Sequence, residues 1–444
     1  MSTAPNVLML GWELPPYNSG GLGTACLGLT EGLAGEGVPI RFVLPKHFAD
    51  VTYDHMDVVS ADGYVAPSAL STFLNREDIK KELLTHSLAY GGSVTLHKES
   101  NGLVVEQAQS PRQTPVAPHI QAAWYAEAAA AIANERDDYN VIHAHDWMTY
   151  YGGMAAREVA RAKGNNAPFI AHVHATEIDR CGEHGDPRIV AIEREGLAAA
   201  DHVIAVSHYT KELVHRRYNV PRSKISVVHN GIPIHKQPKQ FTPTKLKAHH
   251  PLVVFIGRIT FQKGPDYFVK LAHEVVKRDP SVKFVMVGSG DMEAQCIELA
   301  AKLGLTKNML FSSFLRGSDV DRAYQLADVF VMPSVSEPFG IVALEAMQNG
   351  TPAVVSKQSG VAEVTDNILS ADFWDVRGMS EHILYLVQNH EAARAMAHRA
   401  AGELGHLTWA NAASKLRSVY EHVIENQPST AAPLFQPTPV LVTA

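Results

Sequence analysis

What most constrains this chain is a repeated alternation. Six short apolar, β-branched runs (Val7–Leu10, Ile40–Leu44, Asn140–His145, Phe169–His174, His202–Ser207 and Ile225–Gly231) are mostly followed by helical stretches. Five more (Leu252–Gly257, Val282–Gly288, Met309–Phe314, Val329–Ser334 and Pro352–Ser356) repeat the rhythm in the second half. Continuous apolar runs separated by helices mark strands buried on both faces of a parallel sheet. Two consecutive sets predict two doubly wound α/β domains. A length of 444 residues agrees, being too long for one ordinary core.

The seam falls in Pro233–Pro251, a stretch of Pro, Lys, Gln and Thr without apolar period. The division predicted is 1–235 for the first Rossmann-like domain and 236–408 for the second. A terminal helix follows at 409–425. Residues 50–118 are less regular and read as an insertion decorating the first domain. The tail 426–444 carries four prolines and is expected to be disordered or loosely attached.

Composition excludes several classes. The net charge of −7 offers no strongly basic surface for nucleic acid or anionic membrane. Cys26, Cys181 and Cys296 lie far apart without CxxC spacing, which fits thiols in a reducing compartment. The N-terminal apolar run lacks a basic leader and reads as a strand, not a signal peptide. No apolar run reaches about 18 residues, the length of a membrane span. The expectation is a soluble cytoplasmic enzyme, with homo-oligomerisation left open.

In open α/β domains, ligands sit beyond the carboxyl ends of the strands. The unusual residues fall there. Gly20, Gly21 and Gly23 open a helix after the first strand, where backbone N–H groups can approach an anion; a plain tight turn explains them equally well. Arg258 and Lys263 follow the first strand of the second half. Cations at a helix start are electrostatically misplaced unless an anion is present, so they read as a diphosphate clamp. Glu337 precedes a helix start and Glu345 lies a little over one turn inside it. Helical side chains lean toward the N-terminus, so both carboxylates can face one crevice. The N–H groups of Phe339, Gly340 and Ile341 lie between them. That set suits a polyol bearing a phosphate, such as a nucleotide sugar.

Two His-x-His pairs, His143/His145 and His172/His174, support a rival reading, a metal-dependent hydrolase. It leaves the Arg258/Lys263 and Glu337/Glu345 groups without a role. Packed, hydrogen-bonded histidines are the favoured account of His143 and His172, and no metal is expected. Asp319 and Asp321 read as helix-capping groups, not as metal ligands.

Taken in order, "GGLG", "HATE", "HNGI", "GRITFQKG", "VGSG" and "EPFGIVALE" resemble the motifs of retaining glycosyltransferases of the GT-B fold, family 4, and the glycogen synthase-like enzymes beside them. The resemblance runs to about Glu425. It implies two Rossmann-like domains facing a central cleft, with the last helix crossing back to the first. It implies donor-sugar contact by Glu337, ribose contact by Glu345 and diphosphate contact by Arg258 and Lys263. His174 would lie beside the donor sugar, Gly20–Gly21 would approach its phosphates, and Asp146 would line the acceptor side. No cofactor is implied beyond a nucleoside diphosphate sugar as co-substrate. The expected transfer is of glucose to a hydroxyl acceptor such as an α-glucan. Asn18 and Ser19 stand where starch-type synthases carry a lysine before "GGLG", which weakens an ADP-glucose assignment. A nucleotide-sugar 2-epimerase and a non-catalytic sugar-nucleotide binding protein are the alternatives.

Overall fold

A computed structural model describes residues 4–17, 21–46, 51–64, 117–232 and 250–427, with backbone only for 94–99 and 102–107. Gly20, most of the 50–118 stretch, nearly all of the linker at 233–249 and the tail from 428 lie outside the described residues.

The first sheet holds β1 (Val7–Leu10), β2 (Ile40–Leu44), β3 (Asp57–Ser60), β6 (Val141–His145), β7 (Phe169–Val173), β8 (His202–Ala205) and β9 (Ile225–Val227). Its order is β3-β2-β1-β6-β7-β8-β9 and every pairing is parallel. The second sheet holds β10 (Leu252–Ile256), β11 (Lys283–Val287), β12 (Met309–Ser312), β13 (Val329–Met332), β14 (Ala353–Ser356) and β15 (Leu369–Ala371). Its order is β12-β11-β10-β13-β14-β15, again all parallel. A separate antiparallel pair, β4 (Val94–Glu99) and β5 (Gly102–Gln107), lies within the expected insertion.

Each sheet is buried on both faces, which is why its strands read as unbroken apolar runs. In β1, Leu8 and Leu10 join one core while Val7 and Met9 join the other. In β10, Val253 and Phe255 face one core and Val254 the other. Two edge strands went unread in the sequence. β3 (Asp-Val-Val-Ser) is exposed or half-buried throughout, and β15 is three residues with one buried. An edge strand meets fewer neighbours and needs no continuous apolar run.

Helix Pro265–Arg278 shows the local logic. Pro265 fits the first helical position, Asp266 and Lys277/Arg278 complement the dipole, and Phe268, Leu271, Ala272 and Val275 form the buried stripe. Helix Trp409–Glu425 starts at Thr408, whose Oγ1 accepts from Asn411 N at 3.0 Å. It lays Ala413, Leu416, Tyr420 and Val423 on the first sheet's core with Leu29 and Leu33 of helix Gly21–Gly35. Gly231 makes this docking possible: a Cβ there would stand 2.3 Å from Trp409 N, a backbone atom that cannot turn aside. Gly231→Ala should therefore destabilise the protein by about 1–3 kcal/mol, the usual cost of overpacking. A denaturant midpoint equal to that of the parent would remove the constraint.

Candidate active site

Strand order reverses direction once in each sheet, between β1 and β6 in the first and between β10 and β13 in the second. Crevices open at such switch points, beyond the carboxyl ends of the strands.

At the β10/β13 switch point two loops meet. Residues Gly257–Gly264 bring Arg258 and Lys263, and Pro333–Gly340 bring Glu337. Lys263 Nζ donates to Glu337 Oε2, which also accepts from Ser334 Oγ at 3.4 Å. The side chains are only 19% and 8% exposed, so the pair is largely shielded from bulk water. The loops are laced by Val335 N donating to Gln262 O at 2.9 Å. Gly264 permits this approach: its φ is +62° and a Cβ would lie 2.1 Å from Pro333 O. The sequence reading assigned Lys263 and Glu337 to different parts of a ligand. In the structure they are each other's partners. Arg258 is exposed and donates from Nη2 to Gln262 Oε1 at 3.3 Å.

Glu345 sits half-buried in helix Ile341–Gln348, where its Oε2 accepts from Tyr324 Oη at 3.3 Å. Burial lifts its pKa to about 7; the Tyr324 hydroxyl opposes the rise and Asp321 adds to it. The helix starts at Gly340 without a side-chain cap, leaving its first N–H groups without intrahelical partners. Gly340 has φ +102° and its Cβ position faces Met332 and Val361 at 3.0 and 3.3 Å. The Phe339 ring is buried and stacked on His229, so Phe339 can meet a ligand only through its backbone. Ile341 is half-buried beside it.

At the β1/β6 switch point the picture differs from the expectation. Gly21 opens helix Gly21–Gly35 with free space around it. Yet Gly23 N donates to Glu13 Oε1 at 3.2 Å, so the loop after β1 places its own carboxylate at that helix start. Asp146, expected on the acceptor side, is 1% exposed. Its Oδ1 accepts from His174 N at 2.7 Å and Ala175 N at 3.2 Å, and Arg180 Nη2 lies 3.7 Å from Oδ2. Burial raises its pKa to about 6 against the pull of Arg180 and these N–H groups. A buried carboxylate needs donors, and it finds them in the loop after β7. Asp146 therefore holds His174 in place. His174 itself is half-buried, with Nε2 2.9 Å from His145 Nδ1. Burial, with Arg180 nearby, lowers its pKa to about 3, so it is a neutral hydrogen-bonding group at ordinary pH.

The two His-x-His pairs form one buried stack across β6 and β7. His143 Nε2 lies 3.2 Å from His172 Nδ1, and His143 Nδ1 lies 2.5 Å from Tyr420 Oη. His143/His145/His172 and Cys26/His145/His174 bring possible ligand atoms within 4.8 Å of one another. The rings are stacked along each strand at 4.3 and 4.2 Å and joined across strands by the ring-to-ring contacts already given. In each ring-to-ring hydrogen bond one imidazole N–H donates to the lone pair of the other, so the accepting nitrogen is not free for a metal while that bond is made. Asp319 and Asp321 do not cap their helix: Gly317 is at the cap, and the two carboxylates stand in its first turn.

Other groups at this site went unread in the sequence. Ser336 Oγ donates to Asp179 Oδ1 and lies 2.9 Å from Tyr209 Oη. Ser207 Oγ donates to Pro338 O at 2.6 Å, and Glu363 accepts from His208 N and Tyr209 N at 2.8 and 2.6 Å. The Ser336 and Pro338 bonds join the first domain to the Glu337 loop, and the Glu363 bonds join it to the turn at Gly360–Glu363. Nothing in their spacing marks them, because only the packing of the two halves brings them together.

The comparisons with known proteins agree with this architecture. Two doubly wound parallel sheets with a loop-built site at their switch points form the GT-B fold. Residues 19–236 match the model of Glycosyltransferase Family 4, and 236–402 that of Glycosyl transferases group 1. An uncharacterized glycosyltransferase of Methanocaldococcus jannaschii is 30% identical over 378 residues, covering 81% of this chain and 82% of that one. A glycogen synthase of Mycobacterium tuberculosis is 25% identical over 449 residues, covering 97% and 98%. Among solved structures, a sucrose-phosphate synthase from Thermosynechococcus elongatus superposes with a TM-score of 0.66 at 19% identity, over 95% of this chain and 100% of that one. The chain belongs to this family of GT-B glycosyltransferases and is glycogen synthase-like. Among the described residues no helix is long and apolar enough to cross a membrane.

Proposed function

We propose that the protein is a retaining, metal-independent glycosyltransferase. It moves a sugar, with glucose the first candidate, from a nucleoside diphosphate sugar to a hydroxyl acceptor. The observation that carries this reading is the grouping of Lys263, Glu337, Arg258 and Glu345 around one strand-order reversal, beside a helix start with uncapped N–H groups. As the bond from sugar to phosphate breaks, negative charge grows on the departing diphosphate. Lys263, with Arg258 at the rim, neutralises it where water is scarce. Glu337 accepts from a hydroxyl of the transferred sugar, and Glu345 from the ribose. His174, neutral and held by Asp146, supplies a hydrogen bond from the first domain. The leaving phosphate takes the acceptor's proton, so no protein nucleophile is needed. An α-glucan is the first acceptor to test, since the glycogen synthase relative covers nearly the whole chain.

A donor-by-acceptor screen reading released nucleoside diphosphate tests the reaction, and the anomeric configuration of the product tests retention. Donor turnover without any acceptor would favour the 2-epimerase alternative; inversion at the anomeric carbon would end the retaining reading. Activity should persist in excess chelator, because the two cations occupy the place where a divalent ion would balance diphosphate charge. Loss of activity in chelator, with recovery on adding a divalent ion, would revive a metal role for the histidines.

The pKa of Glu345 predicts a pH signature. Ribose hydroxyls donate more strongly to the carboxylate than to the neutral acid, so nucleoside diphosphate affinity should rise with pH through about 7. Glu345→Gln should weaken binding by about 1–3 kcal/mol above that pH and flatten the profile. Calorimetric titration with UDP and ADP between pH 6 and 8 measures both; an unchanged slope in the variant would remove Glu345 from the nucleotide.

A further inference from the structure

Ser336, the residue before Glu337, is buried and belongs to the second domain, yet its hydroxyl is held wholly by the first. Its Oγ donates to Asp179 Oδ1. The other Asp179 oxygen accepts from Thr176 N and Thr176 Oγ1, both at 2.8 Å, so the carboxylate is fixed from behind by its own helix start. An ionised carboxylate only accepts. Ser336 therefore spends its proton on Asp179 and must accept from Tyr209 Oη at 2.9 Å. The direction of the chain follows: Tyr209 to Ser336 to Asp179.

The chain lies between two groups that matter to transfer. On one side, the loop that carries Glu337 is tied to its own domain by Val335 N donating to Gln262 O and Glu337 N donating to Gln358 O at 2.8 Å, and beyond Glu337 its Pro338 O accepts from Ser207 and Thr210 of the first domain. On the other side, Asp179 belongs to the segment that runs from His174 through Thr176 to Arg180, and Arg180 and His174 both contact Asp146. One hydroxyl thus connects the Glu337 loop to the segment that presents His174.

We propose that Asp179 and Tyr209 are positioning residues for transfer. By gripping Ser336 they set the distance between the first domain's His174 segment and the Lys263–Glu337 pair, and so couple the placement of the two domains to the geometry of the reacting sugar. This rests on the functional reading above only for the step it affects. The grip itself is testable without turnover.

The test uses the full chain with Ser336→Ala, which removes both bonds, and Tyr209→Phe, which removes one. Transfer from UDP-glucose or ADP-glucose, whichever the parent uses, is measured with UDP and ADP affinity and with amide hydrogen exchange of residues 335–340. Ser336→Ala should lower kcat by about 10–100-fold, while nucleoside diphosphate affinity stays within twofold, since Arg258, Lys263 and Glu345, the side chains proposed to hold that ligand, all lie in the second domain. Tyr209→Phe should lose less. Exchange in the Glu337 loop should quicken in Ser336→Ala. Equal kcat in Ser336→Ala and the parent would overturn the proposal, as would a parallel loss of kcat and nucleotide affinity, which would make the bond part of the nucleotide site. Should the parent transfer from neither donor, unaltered loop exchange in Ser336→Ala would overturn it, and faster exchange would uphold the grip while the functional reading failed.

Discussion

Lys263→Ala should lower turnover by about 10²–10³-fold, the effect of removing one group that stabilises transition-state charge, worth about 2.7–4 kcal/mol. The structure adds a second expected loss. Lys263 is the partner of Glu337, whose side chain is only 8% exposed. Removing the ammonium leaves a shielded carboxylate unpaired, and breaking such a pair typically costs about 3–5 kcal/mol of stability. The exposed face of Lys263 and the remaining Ser334 bond place this case at the low end. The two losses are separable. In Lys263→Ala/Glu337→Gln the unpaired charge is gone, so stability should largely return while transfer stays low. Arg258→Ala should lower transfer with little loss of stability, because Arg258 is exposed. Denaturant melts and single-turnover rates on the four proteins decide the matter. Near-normal transfer by Lys263→Ala would remove it from the diphosphate.

Acid should unfold this protein steeply below about pH 5. Burial lowers the pKa of His143 and His174 to about 3 and those of His145 and His172 well below the usual value; neighbouring histidines add to the effect for His143, His145 and His172, and Arg180 for His174. The unfolded chain binds protons at these groups from about pH 6.5 downward and the folded chain does not. The stability they contribute is therefore complete above pH 6.5 and is lost as pH falls toward 3. Asp146, Glu193 and Glu345 act the other way, since burial raises their pKa values to about 6, 8 and 7 and they hold protons in the folded state. That offset fades below about pH 5, where the same groups protonate in the unfolded chain. Unfolding should then take up protons, so stability falls further as pH falls. Urea midpoints at pH 7, 5 and 4 test this. A flat profile would mean that the histidines are charged, or solvated, in the folded protein. Tyr420 Oη of the last helix is hydrogen-bonded to His143 Nδ1, so release of that helix should accompany the transition.

Much of this molecule was legible along the chain because parallel sheets write themselves as apolar runs. Each of the eleven runs contains a strand, so Lys263 and Glu337 could be placed in the loops beyond strand ends, and Glu345 in the helix that follows, by counting. β3 and β15 were not legible, because a short edge strand needs no apolar run. The setting of Asp146 was not legible for a related reason: the end of a strand can face the cleft or the core, and here the carboxylate is 1% exposed and accepts from the loop after β7. The His-x-His pairs were legible as pairs, but their cross-strand bonding depends on the register that sets His145 opposite His172.

By itself the sequence determined the class of fold, the order of the strands along the chain and the residue types at each strand end. These follow from local pattern, because burial on both faces and helix starts leave marks within a few residues. Only the tertiary structure decided which strand ends became neighbours. The reversal between β10 and β13 set Lys263 against Glu337, 74 positions apart. The packing of the two halves set Ser336 on Asp179, 157 positions apart. Contacts of that reach depend on sheet order and domain placement, and neither leaves a local trace in the chain.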